Sequence, residues 1–257
     1  MLTSVTVQNT SSRAGSAFEA RLVPMMFLWV VMLSFASGLR MAFAVRPIRD
    51  ALDYAIVGAP YLLVIAVPVV AMACALRRFP AGAVYPQPRF RLAVIGRWRA
   101  ADPIRARSDK LFGPRGIMLS LLAGILLNIP VRAIEFLAAV PAAGSGAPHW
   151  YTILFGALLG DLLLMSSLYA VTFVAALRAV PCFPRLIVIV WMVDLAMQFV
   201  IAHLLAHTVG LPPSVSAAAS TLLDGNLKKV LISAALWTPY LLLSRRVNLT
   251  YRLREPA

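Results

Sequence analysis

Negative charge is the scarcest property of this sequence. Ten of its 257 residues are Asp or Glu against 24 Lys and Arg, which gives a formal net charge of +14. Charged residues make up 13% of the chain and hydrophobic residues 61%, and the mean hydropathy is +0.82. Because soluble domains carry about 25% charged and about 45–50% apolar residues, this composition excludes an ordinary soluble domain and indicates a polytopic membrane protein.

Cysteines and catalytic motifs are also few. Cys74 and Cys182 both lie near apolar-run ends that we assign to the cytoplasm below, so no disulfide is expected. The sequence has no phosphate-cradling glycine loop, no G-x-S-x-G and no paired Asp motif of the phosphotransferase kind. We therefore expect no cofactor, and an enzyme is not favoured.

What the chain does contain is six continuous apolar runs of about 20 residues. Continuous runs of this length predict membrane helices, whereas barrel strands are alternating segments of about ten residues. The predicted fold is therefore all-α, a polytopic bundle of six transmembrane helices. The predicted spans are 24–45, 54–76, 117–140, 151–177, 186–209 and 228–244.

The distribution of Lys and Arg predicts how these spans are oriented. With both termini inside, 18 of the 24 basic residues lie in cytoplasmic segments, four lie outside, and Arg40 and Arg132 lie within spans. Since cytoplasmic loops retain an excess of Lys and Arg, this orientation is favoured, in the inner membrane of a bacterium. The first span ends in Ala42-Phe43-Ala44, which resembles a cleavage site. A retained helix is favoured, and a cleaved signal peptide is the alternative.

A basic segment divides the predicted chain into two membrane parts. We predict a cytoplasmic leader over 1–23, a two-span hairpin over 24–76, a cytoplasmic linker over 77–116 and a four-span domain over 117–257. The linker interleaves cations with aromatics, which favours an interfacial segment on anionic lipid headgroups over an RNA-binding patch. These residues are Arg89, Phe90, Arg91, Arg97, Trp98 and Arg99.

Arg132, Glu135, Asp161 and Asp194 fall deep inside the predicted spans, where an ionisable residue costs about 2.5–3.5 kcal/mol on insertion scales. Arg132 and Glu135 share a face of the third span, and Asp161 of the fourth lies at nearly the same depth as Arg132. We predict an Arg132–Asp161 ion pair with Glu135 nearby. A clamp between helices is favoured over a substrate or proton relay. Asp194, deeper in the fifth span, is the best single candidate for handling a proton.

All three histidines fall on the predicted outer side. His203 and His207 are four residues apart on one helical face, and His149 precedes the fourth span. Two imidazoles at this spacing can bind a metal, with His149 as a third ligand. Because the Glu of H-E-x-x-H is missing, solvated histidines are the favoured interpretation.

The chain resembles the YdgK-like family of bacterial inner-membrane proteins, a domain of unknown function, over roughly residues 112–251. The resemblance depends on a glycine-bearing span with Pro130 and Arg132 and on a short basic, proline-containing connection between two spans. It depends also on an ending with Trp237, Tyr240, Ser244, Arg245, Arg246, Val247, Thr250 and Tyr251. It implies four spans and no established activity.

Three functions remain open on this evidence. The favoured one is a non-enzymatic membrane protein, such as a scaffold, a partner of another membrane protein or an envelope-maintenance factor. The alternative is a small proton-coupled transporter that uses the four intramembrane charges. A membrane enzyme with an outer metal site is the third. We expect contact with anionic lipid and none with nucleic acid.

Overall fold

The computed structural model describes residues 4–89, 95–144 and 146–257, with side chains from residue 20 onward. Its regular structure is helical apart from one two-stranded sheet, which confirms the all-α prediction. Phe90 and Arg91 of the linker lie outside the described residues. The elements are α1 (Ser4–Ala42), α2 (Ala51–Arg78), β1 (Trp98–Ala100), α3 (Pro103–Ser108), α4 (Ile117–Ala139), α5 (His149–Leu177), α6 (Phe183–Ala206), α7 (Pro213–Leu243), α8 (Arg245–Arg252) and β2 (Arg254–Pro256).

Five helical segments are long and apolar enough to cross a membrane. They are Ala20–Ala42 of α1 and the whole of α2, α4, α5 and α6. At most 44% of the most apolar part of any of them is buried inside the protein. Large apolar side chains therefore face outward, among them Phe27, Phe35 and Phe199. A surface this apolar is expected when lipid, and not water, surrounds the helices.

The predicted sixth span, 228–244, corresponds to the second half of α7, a helix that is longer than the predicted span. The helix begins at Pro213, 15 residues before the predicted start at 228, and runs through Pro239 to Leu243. The hydropathy pattern missed the first half because it is rich in Ser and Ala and contains Asp224. For the same reason α7 is not among the five segments apolar enough to span.

The bundle is organised around α5, which packs against α2, α4 and α6. The N-terminal pair of helices joins the bundle through this contact and through α1 against α4. Trp29 Nε1 donates to Ile65 O over 3.1 Å, which ties α1 to α2. Arg40 Nη2 donates to Ala138 O over 3.1 Å, so a cation sits at the C-terminus of α4, where the helix dipole favours positive charge.

At one end of the bundle, the segment after α1 contacts the segment after α4. Val45 N donates to Ala142 O over 2.9 Å, and Gly144 N donates to Arg46 O over 3.3 Å. A Cβ on Gly144 would lie 2.6 Å from Pro47 O, so only glycine fits at this close approach.

The linker and the C-terminal segment form one small unit. β1 pairs antiparallel with β2, and Arg99 Nε donates to Glu255 Oε1 over 2.8 Å. Ser244 caps α8 by accepting from Val247 N, and Thr250 Oγ1 accepts from Gly113 N over 3.0 Å. The linker, which the sequence predicts to lie on lipid headgroups, is thus held against the C-terminal segment. The contacts are the pairing of β1 with β2 and the hydrogen bond from Gly113 N to Thr250 Oγ1.

The end of the chain is packed into the protein. Residues 247–252 are all buried in α8. The hydroxyl of Tyr251 donates to Ala176 O over 2.8 Å, and its ring lies against Phe183, with 4.9 Å between ring centroids. Burial raises the pKa of Tyr251 well above its ordinary value, so the phenol remains a neutral donor.

Two apolar clusters fill the interior, one towards each end of the bundle. The cluster towards α8 contains Ile129, Met165 and Trp191. The cluster towards the other end contains Ala133, Leu162 and Ile201. The intramembrane charged residues lie along α4, α5 and α6 where one cluster gives way to the other, so the core is two apolar layers separated by a polar one.

Candidate functional site

Arg132 is the centre of the polar layer. Its Nη1 donates to Asp161 Oδ2 over 2.7 Å, and its Nη2 donates to Asp194 Oδ1. The remaining nitrogen, Nε, donates to Asn128 Oδ1 over 3.0 Å, one turn earlier on α4. All three guanidinium nitrogens are therefore used, and one arginine joins α4 to both α5 and α6.

Arg132, Asp161 and Asp194 are all buried, so their mutual contacts must offset the loss of hydration. Arg132 and Asp161 are 7% and 6% exposed, and Asp194 is fully buried. An ion pair without water gains from a low dielectric, but it must first repay several kcal/mol of desolvation for each ion. The fork of Arg132, which meets two carboxylates at once, supplies the hydrogen bonds that make this repayment possible.

Asp194 is not the lone carboxylate that the sequence suggested. Besides Arg132 it accepts from Tyr169, whose hydroxyl donates to Oδ2 over 2.8 Å. Gln198 Nε2 donates to Oδ1 over 3.2 Å. Arg132 Cζ also lies 6.0 Å from the centroid of the Tyr169 ring, at the outer limit of a cation–π contact.

The polar layer continues from α6 to α7. Asn226 Nδ2 donates to Gln198 Oε1 over 3.5 Å, and Lys229 Nζ donates to Asn226 Oδ1 over 3.5 Å. Lys229 also donates to Glu135 Oε1, which returns the chain of contacts to α4. We call the whole set the polar network: Asn128, Arg132, Glu135, Asp161, Tyr169, Asp194, Gln198, Asn226 and Lys229.

Glu135 lies near Arg132 and Asp161, as predicted, and lines the same cavity. Its ion pair is with Lys229 of α7, and its side chain is 27% exposed. The sequence analysis named no partner for Glu135, and Lys229 supplies a second cation to the network.

A small cavity lies beside Asp161. Its volume is about 20 Å³, which is room for about one water molecule. Arg132, Glu135, Asp161 and Asn226 provide its polar lining, and Phe136, Leu158, Leu162 and Leu222 provide the rest. Asp161 Oδ1 is buried and accepts no hydrogen bond from any residue that the structure describes. Asp194 does not line the cavity.

The three histidines do not form the metal site considered above. His149, His203 and His207 are all exposed. The rings of His203 and His207 lie 4.3 Å apart, and His207 Nδ1 is 2.8 Å from its neighbour's backbone oxygen, His203 O. Across residues 4–89, 95–144 and 146–257, no three His, Cys, Asp or Glu side chains come together in a group that could hold a metal ion. His203 and His207 are close together at the end of α6, but no third metal ligand lies beside them among the described residues.

The arrangement of the polar network has two chemical capacities. Its central arginine holds three helices in one register, because any sliding of α4 would separate ions that water cannot reach. Its cavity, which Asp161 helps to line, has room for about one water molecule close to this carboxyl group.

No family model, curated protein or solved structure matches the chain.

Proposed function

We propose that the protein is a non-enzymatic, multi-pass protein of the bacterial inner membrane whose polar network clamps its helices together. The observation that carries this proposal is Arg132, which bridges Asp161 of α5 and Asp194 of α6 from α4. Such a scaffold keeps a fixed shape in lipid, where apolar contacts alone give no preference for one helix register over another.

A double-mutant cycle tests the clamp. Arg132→Gln and Asp194→Asn each remove one side of a buried ion pair, and each alone should destabilise the folded bundle. Combined, they should cost much less than the sum, because the second change removes the charge that the first left uncompensated. Additive losses in sodium dodecyl sulfate titrations of the protein in mixed micelles would reject the clamp.

The proposed topology has six spans and both termini in the cytoplasm. Three observations support it: the five apolar helices, the 31-residue length of α7, and the excess of Lys and Arg in alternate segments. The contacts of α1 with α2 and α4 support a retained first helix over a cleaved signal.

Cysteine accessibility tests this orientation. In a protein with Cys74 and Cys182 replaced by serine, Val209→Cys and Ile104→Cys place single thiols at positions 90% and 80% exposed. A membrane-impermeant maleimide should label residue 209 in intact spheroplasts and residue 104 only after permeabilisation. The reverse labelling would invert the orientation, and labelling of both in intact spheroplasts would require a different number of spans.

A proton-coupled carrier is the second candidate. It is favoured by the cavity that Arg132, Glu135 and Asp161 share, since a carrier needs a hydrated site at its ionisable residues. Proteoliposomes with a potassium diffusion potential and an internal pH dye separate the two functions. A clamp should give no flux above empty vesicles, whereas a carrier should give a flux that Asp161→Asn abolishes.

Contact with anionic lipid at the linker is also part of the proposal. Arg89, Arg97 and Arg99 are all exposed, although Arg99 is engaged by Glu255. We expect purified protein to retain phosphatidylglycerol over phosphatidylcholine, and the variant with Arg89 and Arg97 changed to Gln to lose that preference. Equal retention by both proteins would reject a role for these two arginines.

The YdgK-like resemblance remains a hypothesis, and the positions of its motif residues suggest that the motif is structural. Trp237 and Tyr240 form an edge-to-face pair with ring centroids 5.8 Å apart. Arg246 Nη1 donates to Leu111 O over 3.0 Å, so it joins α8 to the linker. Together with Thr250 and Tyr251, these residues hold the end of the chain against the bundle.

A further inference from the structure

The polar network contains one more acid than base. Its carboxylates are Glu135, Asp161 and Asp194, and its cations are Arg132 and Lys229. If all five were ionised, the interior would carry a net charge of −1. A carboxyl group in a poorly solvated site avoids such a charge by taking up a proton. The hydrogen bonds of each carboxylate identify which one does so.

Asp194 is satisfied as an anion. Its two oxygens accept from a guanidinium, an amide NH₂ and a phenol, which belong to Arg132, Gln198 and Tyr169. Arginine and the amide NH₂ can only donate, and the phenol hydroxyl is placed to donate as well. A proton on Asp194 would therefore face groups that are themselves donors.

Glu135 is also satisfied as an anion, by different means. It accepts from the ammonium of Lys229, and both side chains are partly exposed. Ionisation of Glu135 therefore costs less free energy than ionisation of Asp161 or Asp194, because Glu135 has its own cation and is partly exposed. Neither Asp194 nor Glu135 has a reason to hold the extra proton.

Asp161 differs from both. Its Oδ2 accepts from Arg132, but its Oδ1 is buried and has no hydrogen-bond partner in the described part of the chain. The residue also lines the cavity. Its side chain is 92% buried, since 8% is exposed. As an anion, Asp161 would bury one charged oxygen without a hydrogen bond. As an acid, it would bury a neutral carboxyl group instead, which costs less free energy.

We propose that Asp161 is a proton-binding site and carries one proton at neutral pH. A hydronium ion that reaches the cavity transfers a proton to Oδ1, forming an O–H bond and leaving a neutral water. The Oδ2 atom keeps its bond from Arg132 Nη1. The network then contains two cations and two carboxylates and is neutral.

The groups around Asp161 on every packed helix are consistent with this assignment. Arg132 and Glu135 face it from α4, Asp194 from α6, and Asn226 with Lys229 from α7, while Tyr169 lies two turns along its own helix. On α2, the contact towards this part of α5 comes from Tyr61, whose ring lies edge-on to Phe155. The charged groups that face Asp161 are therefore those already included in the charge count: Arg132, Glu135, Asp194 and Lys229.

Infrared spectroscopy of the wild-type protein tests the proposal first. In nanodiscs at pH 7 we expect a carboxylic acid C=O stretching band, lost when the pH is raised far enough to deprotonate the site. Dicyclohexylcarbodiimide, which reacts with protonated carboxyl groups in membranes, should form an adduct at Asp161. Absence of the band, or an adduct at Glu135 or Asp194 in its place, would overturn the assignment.

Two matched variants identify the residue without changing the charge count. Asp161→Glu should shift the band, because the group that absorbs is itself altered. Glu135→Asp should leave the band where it is. A shift in the Glu135 variant alone would assign the proton to Glu135 and overturn the proposal.

A third variant tests the charge count. Glu135→Gln removes one negative charge, so two cations face two carboxylates and Asp161 should release its proton. We expect the band to disappear although Asp161 is unchanged, and its persistence would overturn the charge-balance argument. The inference holds for a clamp or for a carrier. Failure of the clamp appears in the double-mutant cycle, whereas failure of the proton site appears in the infrared band.

Discussion

Two arginines of this protein are buried to a similar extent but have different kinds of hydrogen-bond partner. Arg132, in the polar layer of the bundle, is 7% exposed and meets two carboxylates. Arg252, at the end of α8, is 5% exposed, and its Nη1 donates to Asn248 Oδ1 over 2.8 Å. Its Nη2 is buried and has no hydrogen-bond partner among residues 4–89, 95–144 and 146–257. Burial lowers the pKa of Arg252 below its ordinary value, and the charge of Arg254 lowers it further.

The difference shows where a buried cation needs internal counter-charge. Within the hydrocarbon layer the protein must supply the anions itself, and it supplies them from two other helices. α8 lies outside the five apolar segments, and there Arg252 donates to a neutral group, the amide oxygen of Asn248, among the residues that the structure describes. Equal burial therefore does not mean equal electrostatic demand.

The largest expected effect comes from replacing Arg132, the buried arginine that has carboxylate partners. Arg132→Met leaves the buried carboxylate of Asp194 without its cation and Asp161 without its donor, and it should lower the free energy of unfolding by about 3–5 kcal/mol. The measurement is a sodium dodecyl sulfate titration of the purified protein in mixed micelles. The matched control is Arg252→Met, which removes a cation with no carboxylate partner and should change stability by less than about 1 kcal/mol. Equal losses would show that burial alone sets the cost.

The two partners of Arg132 should differ as well. Asp194→Asn removes charge from a group that accepts from three side chains, and hydrogen bonds to charged groups contribute about 1.5–3 kcal/mol each. Asp161→Asn should destabilise the protein by less, because a neutral acceptor can still face Arg132 Nη1. The same titration measures both variants. A greater loss for Asp161→Asn would reverse the ranking of the two carboxylates.

At the α8 end, Tyr251→Phe should cost about 1 kcal/mol, the usual contribution of one neutral hydrogen bond. The effect depends on pH in a defined direction. Because burial raises the folded-state pKa of Tyr251, the unfolded phenol ionises first, near pH 10, and wild-type stability then falls as the pH rises. Tyr251→Phe should fall less steeply, so the two stability curves should converge above about pH 10.

The smallest effect is expected at the exposed edge of the polar network. Lys229→Met breaks an ion pair whose side chains are 49% and 27% exposed, so solvent screening should limit the loss to at most about 1 kcal/mol. Micelle titrations at low and high salt provide the measurement. A loss as large as that of Arg132→Met would show that the Lys229–Glu135 pair belongs to the clamp itself.

The sequence allowed the class of fold and the central contact to be predicted, for physical reasons that can be named. Hydropathy alone identifies helices whose outer surface is apolar, and five such helices are present. Short connections make neighbouring helices antiparallel, so counting residues from the predicted outer boundary was enough to match the depths of Arg132 and Asp161. The remaining finer features, six spans and cytoplasmic termini, stay predictions.

What could not be predicted depends on contacts between helices that are not consecutive. The pairing of Arg132 with Asp194 joins α4 to α6, and no connection length constrains that depth. Lys229 was not predicted to join the polar network. The first half of α7 is polar, so hydropathy did not reveal that the helix continues on both sides of Lys229. Asn226, three residues before Lys229 on the same face, was the signal available: two polar residues at helical spacing beside an apolar run.

The small unit at the end of α8 has a consequence for how the protein is made. β1 and its partner β2 are separated by about 156 residues, as the Arg99–Glu255 contact shows. At about 5–20 residues per second, a ribosome takes roughly 8–30 s to synthesise that interval. The linker therefore emerges long before its partner strand exists, and its final shape waits until four further long helices have been synthesised. The order of synthesis makes this sheet one of the last parts of the molecule to form.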